Sequence, residues 1–142
     1  MKCFVAFTEH RWGIGFSAYA TAHVTYAVND LIEFDGVNTN LGGHYDNDTS
    51  FTCPVNGTYF FTVSVMTSAS YHLAVAIEID SVRYASAYND GISSVFNHAT
   101  NSALLRCNEG QKVFVRCVVG GRSYGTATEK YSTFSGFLVA EI

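Results

Sequence analysis

From residue 58 to residue 65 side chains alternate without a break: Tyr59, Phe61, Val63 and Val65 fall on one side, Thr58, Phe60, Thr62 and Ser64 on the other. Successive side chains of a strand face opposite sides of a sheet, so this period of two predicts a two-faced strand and excludes a helix. Asn56-Gly57 just before it is a strong turn signal. Residues 73–79 alternate too, with Leu73, Val75, Ile77 and Ile79 on one face, and Asp80-Ser81 turns that run into residues 82–87. Further strand-like runs are expected at 14–19, 22–26, 31–34, 51–53, 102–107, 112–118 and 134–142. Residues 34–50 are polar and punctuated by Asp35-Gly36, Gly42-Gly43 and Asp46-Asn47-Asp48, which marks them as turns and loops. Residues 88–100 form a second loop. No segment sustains a 3.6-residue apolar period. About ten short strands separated by frequent turns predict an all-β, two-sheet antiparallel sandwich.

Composition sharpens that reading. With 142 residues the chain suits one domain with a substantial core. Aromatic residues make up 15% and charged residues only 14%, which excludes a disordered chain and suggests surface hidden by another copy. Phe60 stands opposite Tyr59, Phe61 and Val63, and Phe114 opposite Val113 and Val115, so both faces of these strands should be covered. The formal net charge is −4 and the cations are scattered, so nothing favours nucleic acid. No apolar run of about 18 residues predicts membrane insertion. The first residues, MKCFVAFTEHRWG, make a poor signal peptide, because Glu9, His10 and Arg11 interrupt a short apolar stretch. Residues 1–14 are read as an N-terminal extension and 15–142 as the globular domain.

Candidate chemistry is sparse. No GxSxG, HExxH or phosphate-loop pattern occurs, and Gly120-Gly121-Arg122-Ser123-Tyr124-Gly125 opens no helix, so it reads as a connecting loop. His10, His23, His44, His72 and His98 sit at no metal-binding spacing. The expectation is a protein that binds and does not catalyse. Cys3, Cys53, Cys107 and Cys117 allow three complete pairings. Cys107 and Cys117 are not opposite each other across their turn; Cys53 could reach either through the fold, or the thiols could stay free and buried. Asn47-Asp48-Thr49 and Asn56-Gly57-Thr58 are N-glycosylation triplets in expected turns.

Ordered motifs carry a resemblance. Phe34, Asn40, Tyr45, Phe51, Gly57, Tyr59 and Phe61, within HYDNDTSFTCPVNGTYFF at 44–61, resemble the aromatic pattern of the complement C1q globular head. SALLRCNEGQKVFV at 102–115, STFSGFLV at 132–139 and GFSAYATAHVT at 15–25 extend it over residues 15–142. The interval from Tyr45 to Phe51 is one residue shorter than in the family, which trims a loop, and Val63 replaces a customary aromatic. The resemblance implies a jelly roll of the C1q and tumour-necrosis-factor type, a secreted homotrimer, and Phe16, Tyr19, Phe60, Phe114 and Phe134 at its interface.

It also implies candidate sites. Several members bind calcium at a loop near the trimer's apex. Their two aspartates fall near Asn89 and on Asn97, with Asp90 adjacent; the two Asp-to-Asn replacements weaken that site, so no cofactor is required here and calcium is only a possible one. The run at 18–35 is similar to invertebrate members that recognise carbohydrates and other microbial surface patterns in innate immunity. A sugar site needs planar polar groups beside an aromatic platform. Asp46, Asn47 and Asp48, Tyr88 with Asn89 and Asp90, and Arg122 with Tyr124 could supply one; Tyr45 reads as structural. The alternative is a trimeric signalling ligand for a protein receptor.

Overall fold

The computed structural model describes residues 13–67, 70–92 and 94–142. Cys3, His10, Trp12 and most of the expected N-terminal extension lie outside the described residues. Eleven strands follow in chain order: β1 (Gly15–Tyr19), β2 (Val24–Tyr26), β3 (Gly36–Leu41), β4 (Phe51–Thr52), β5 (Gly57–Thr67), β6 (Leu73–Ile79), β7 (Val82–Asn89), β8 (Asn97–Cys107), β9 (Lys112–Val119), β10 (Gly121–Ser123) and β11 (Thr133–Glu141). They form a five-stranded sheet in the order β3-β1-β11-β5-β8, a four-stranded sheet in the order β4-β9-β6-β7, and the pair β10-β2. Every pairing is antiparallel.

The alternation in β5 is realised as expected: Tyr59, Phe61, Val63 and Val65 are buried, and the side chains between them are half-buried. The inward faces meet around an aromatic stack. Phe16 lies parallel to Tyr45 with ring centroids 4.9 Å apart and meets Phe134 edge-on at 4.9 Å. Phe51 packs on Phe16, Tyr59 and Phe61. Offset and edge-on pairs of this kind stabilise beyond their buried area. Leu73, Val75, Ile77, Ile79, Val113 and Val115 close the core from the other sheet. Cys53 and Cys107 form a disulfide joining the strand ends at the base of the two sheets, while Cys117 is a buried free thiol.

Four strand expectations are corrected. Residues 36–41 form an edge strand of the five-stranded sheet, although they read as loop; one exposed edge strand needs no apolar stripe. Residues 121–123 pair with β2, and β8 begins at Asn97 rather than 102. Residues 31–34 make only a bridge, Leu31 to Arg116, yet Ile32 N–H donates to Val115 O (2.8 Å), so this segment does run beside β9.

The interface aromatics also divide by parity. Phe16 and Phe134 are buried in the core, whereas Tyr19, three residues from Phe16, faces the other way. Phe114 lies on the outer face of the four-stranded sheet, covered within the subunit. The Arg116 guanidinium sits 5.0 Å from its ring centre and donates to the buried Glu78 carboxylate (2.7 Å), which also pairs with Arg83 (3.3 Å). Phe60 does face out from the five-stranded sheet. The register aligns Leu41, Gly15, Phe137, Phe60 and Leu104 as one row across all five strands. Leu41, Phe137 and Leu104 are 50%, 51% and 63% exposed. The next row is all hydroxyl: Thr39, Ser17, Ser135, Thr62 and Ser102.

Buried phenols give the fold an alkaline limit. Burial pushes Tyr26 up to about 12, against the backbone amide of Glu33 that donates to its oxygen. Burial first, then Asp46, Asp48 and Asp35, raises Tyr45; burial also raises Tyr59. A phenol whose folded pKa lies above its unfolded value of about 10 stabilises the fold below that pH, and the contribution fades as pH climbs through the folded value. Melting temperature should therefore fall between about pH 10 and 12, with the phenolates of Tyr26, Tyr45 and Tyr59 appearing in the same transition. Phenolate formation complete in the folded protein at pH 10 would contradict this burial.

Candidate functional site

Antiparallel pairing collects one set of connections at a single end of the sandwich, called the apex below. Thr67 pairs with Asn97, Leu73 with Asn89, and Tyr19 with Thr133, so the β5–β6, β7–β8, β10–β11 and β1–β2 connections emerge together. Two glycines let them nest. Gly91 adopts φ +73° and backs onto the main chain of Tyr71 and His72 at 2.8 Å from an added Cβ. At Gly121 an added Cβ would land on the His72 carbonyl, where Arg122 N–H donates at 3.3 Å.

Tyr88, Asn89, Asp90 and Asn97, all singled out from the sequence, line one cleft of about 230 Å³ together with His98. Asn89 is buried and fixes the cleft wall: its Nδ2 donates to Thr67 Oγ1 and its Oδ1 accepts from Gly91 N–H (3.1 Å). Asp90 is exposed, and its Oδ1 accepts from Ile92 N–H (3.1 Å). His98 Nε2 lies 3.0 Å from Tyr131 O, which requires the proton on that nitrogen. Beside the cleft Tyr124 stacks on His23 (centroids 3.9 Å) and meets Phe96 (4.9 Å) and Tyr131 (5.8 Å). Arg122 lies over Tyr71, 5.3 Å from the ring centre.

Phe96, His98 and Tyr131 escaped the sequence reading. The available signal was strand parity: with β8 starting at Asn97, His98 pairs with Met66 on the outward face.

Asp46, Asn47 and Asp48 lie elsewhere, on the β3–β4 connection. Asp46 Oδ1 accepts three backbone amides, from Asp48, Thr49 and Ser50 (2.8–3.0 Å). Burial alone would raise its pKa, but these amides outweigh burial and hold it below the ordinary carboxylate value. Asn47, at φ 69°, accepts from Asn40 Nδ2 (3.2 Å), and Asp48 O accepts from Phe34 N–H (2.7 Å). Tyr45 is core, with its hydroxyl donating to Phe34 O at 2.6 Å. Asp46 and Asn47 are thus committed to holding this turn.

Calcium takes six to eight oxygens, usually with several carboxylates. The apex cleft offers one carboxylate, Asp90, and the Asn89 amide is already engaged on both ends. Among the described residues no group of three or more His, Cys, Asp or Glu could hold a metal. The donor set fits calcium poorly.

Residues 15–139 match the C1q domain family. The chain is 38% identical over 133 residues to Caprin-2 of Danio rerio, covering 89% of this chain and 14% of that protein. It is 30% identical over 130 residues to complement C1q tumor necrosis factor-related protein 3 of Homo sapiens, covering 90% of this chain and 52% of the relative. The chain thus spans about half or less of these relatives. Among solved structures, the globular domain of zebrafish complement 1qA superposes with a TM-score of 0.76 at 20% identity, covering 91% of this chain and 99% of the other. Eiger TNF from S. frugiperda superposes at 0.68 and 11% identity, covering 93% and 96%. At these identities the superpositions speak for the fold alone.

Proposed function

The chain belongs to the C1q domain family, a group of non-enzymatic binding proteins whose domains typically trimerise, and from that premise we propose that it is a secreted homotrimeric recognition module for carbohydrates or other microbial surface patterns. The observation that carries the reading is the apex cleft. Fixed amide, carboxylate and imidazole groups stand beside the Phe96–Tyr124–Tyr131 cluster, the pairing of hydroxyl-binding planes with aromatic faces that sugars need. Secretion accords with the Cys53–Cys107 disulfide, since such bonds persist in oxidising compartments. Three copies of a weak site on one rigid body would raise avidity on a repeating surface.

The test is a glycan and microbial-surface array, read with and without EDTA and with free sugar as competitor. Binding is expected to survive EDTA, to yield to free sugar, and to weaken about tenfold on Asn97→Ala or His98→Ala, the loss of roughly one charge-assisted or two neutral hydrogen bonds. A blank array would reject the reading.

A signalling ligand is the second reading. Ile92 is 84% exposed and Val95 and Phe96 are exposed beside it on the β7–β8 loop, an apolar tip that a protein receptor would bury better than a sugar. Ile92→Ser should abolish receptor binding under this reading and leave glycan binding unchanged under the first.

A further inference from the structure

We propose that the apex selects acidic saccharides, with Arg122 holding the ligand's carboxylate or phosphate. This rests on the carbohydrate reading above and narrows it to a ligand class.

Of the described cations, Arg106 and Lys112 lie at the end of the sandwich opposite the apex. Arg83 and Arg116 are both taken up by Glu78. Lys130 lies 4.8 Å over the Tyr19 ring on the five-stranded sheet. No described carboxylate lies within ion-pair reach of Arg122. Its guanidinium is instead laid over Tyr71, with Nη1 3.5 Å from the Tyr71 hydroxyl. Stacking occupies the face of a guanidinium and leaves in-plane N–H groups for the two-pronged recognition of a carboxylate or phosphate.

The root of the side chain is equally constrained. Arg122 pairs with Thr25 across β10–β2, and its N–H is tied to His72 O. A side chain ordered before the ligand arrives loses less entropy on binding. Tyr71 and His72 abut Gly91, so Arg122, on β10, stands beside the loop that adjoins the Asn89–His98 cleft. An acid group on Arg122 leaves the rest of a sugar to lie toward hydroxyl-binding side chains. The chain's net charge of −4 gives no general attraction for polyanions, so retention of an acidic glycan must come from a local cation.

The experiment measures binding of the whole chain to immobilised polygalacturonate, the same polymer with its carboxyls reduced, phosphomannan and neutral mannan. Wild type, Arg122→Gln and Arg122→Lys are compared, with melting temperature as the folding control. The wild type should prefer polygalacturonate or phosphomannan over the neutral polymers by about tenfold or more, and which of the two it prefers identifies the acid. Arg122→Gln should lose that preference at unchanged melting temperature, and Arg122→Lys should keep part of it. Equal binding to the reduced and acidic polymers, or full binding by Arg122→Gln, would overturn the acid preference while leaving carbohydrate recognition standing. Failure to bind any of the four polymers, when other glycans on the array are bound, would also overturn it. A blank array as well would remove both readings.

Discussion

Sedimentation of the chain at micromolar concentration should give one species of three times 15.5 kDa, and Leu104→Glu combined with Phe137→Glu should convert it to a folded monomer. The ground is the apolar row on the five-stranded sheet. Leu104, Phe137 and Leu41 are each half exposed or more, and Phe60 packs on Phe137 with centroids 5.9 Å apart. Gly15 leaves a trough between Leu41 and Phe137, part of a groove of about 420 Å³ into which another subunit's side chain can fit. Burying a large apolar side chain contributes about 1.5–3 kcal/mol, so one row supplies several kcal/mol per contact. A carboxylate in that row would have to be desolvated without a partner, which costs several kcal/mol. Both side chains point away from the subunit's own core, so circular dichroism of the variant should remain that of the folded sheet. A wild-type monomer, or a double variant that stays trimeric, would refute this use of the row.

Reduction, or Cys53→Ala with Cys107→Ala, should lower stability by about 4 kcal/mol, the chain-entropy expectation for this loop. The bond closes a loop with a sequence separation of 54 and ties the β4 end of one sheet to the β8 end of the other. For a chain of this size that corresponds to a fall in melting temperature on the order of 10 °C. Calorimetry with and without reductant measures it directly. Cys117 supplies an internal control: it is buried, its thiol is raised by burial and then by Asp30, and its Sγ lies 3.4 Å from Val119 O. Cys117→Ser should not alter the response to reductant. An unchanged melting curve on reduction would mean the sheets hold their spacing without the bond.

The cysteines show where local sequence stops. The spacing of Cys107 and Cys117 could argue against a hairpin bridge, but whether Cys53 pairs with Cys107 or Cys117 depends on which strand ends the two sheets bring together. The same limit applies to Phe16. The resemblance put Phe16 and Tyr19 together at the interface, yet they fall on opposite faces of β1, and assigning each face to core or interface needed the sheet order β3-β1-β11-β5-β8. At the apex, Tyr88, Asn89, Asp90 and Asn97 were legible because turn residues and family spacing both single them out. His98 and Phe96 were not, since one lies at the start of a strand whose first residues are too polar to advertise it and the other on the loop just before that strand.

By itself the sequence determined what acts between neighbours along the chain: the two-residue period of β5 and β6, the turns, the dearth of catalytic motifs, and the motifs of the C1q domain family. Those signals are local because a strand's faces are set by its own backbone pleat. Only the tertiary structure decided that no described carboxylate pairs with Arg122, that Phe114 is covered by an Arg116 held at Glu78, and that Leu41, Phe137, Phe60 and Leu104 make one row. The row and the Glu78–Arg116 pair depend on strands far apart in the sequence coming into register, and register is set by the fit of whole sheets rather than by any one strand.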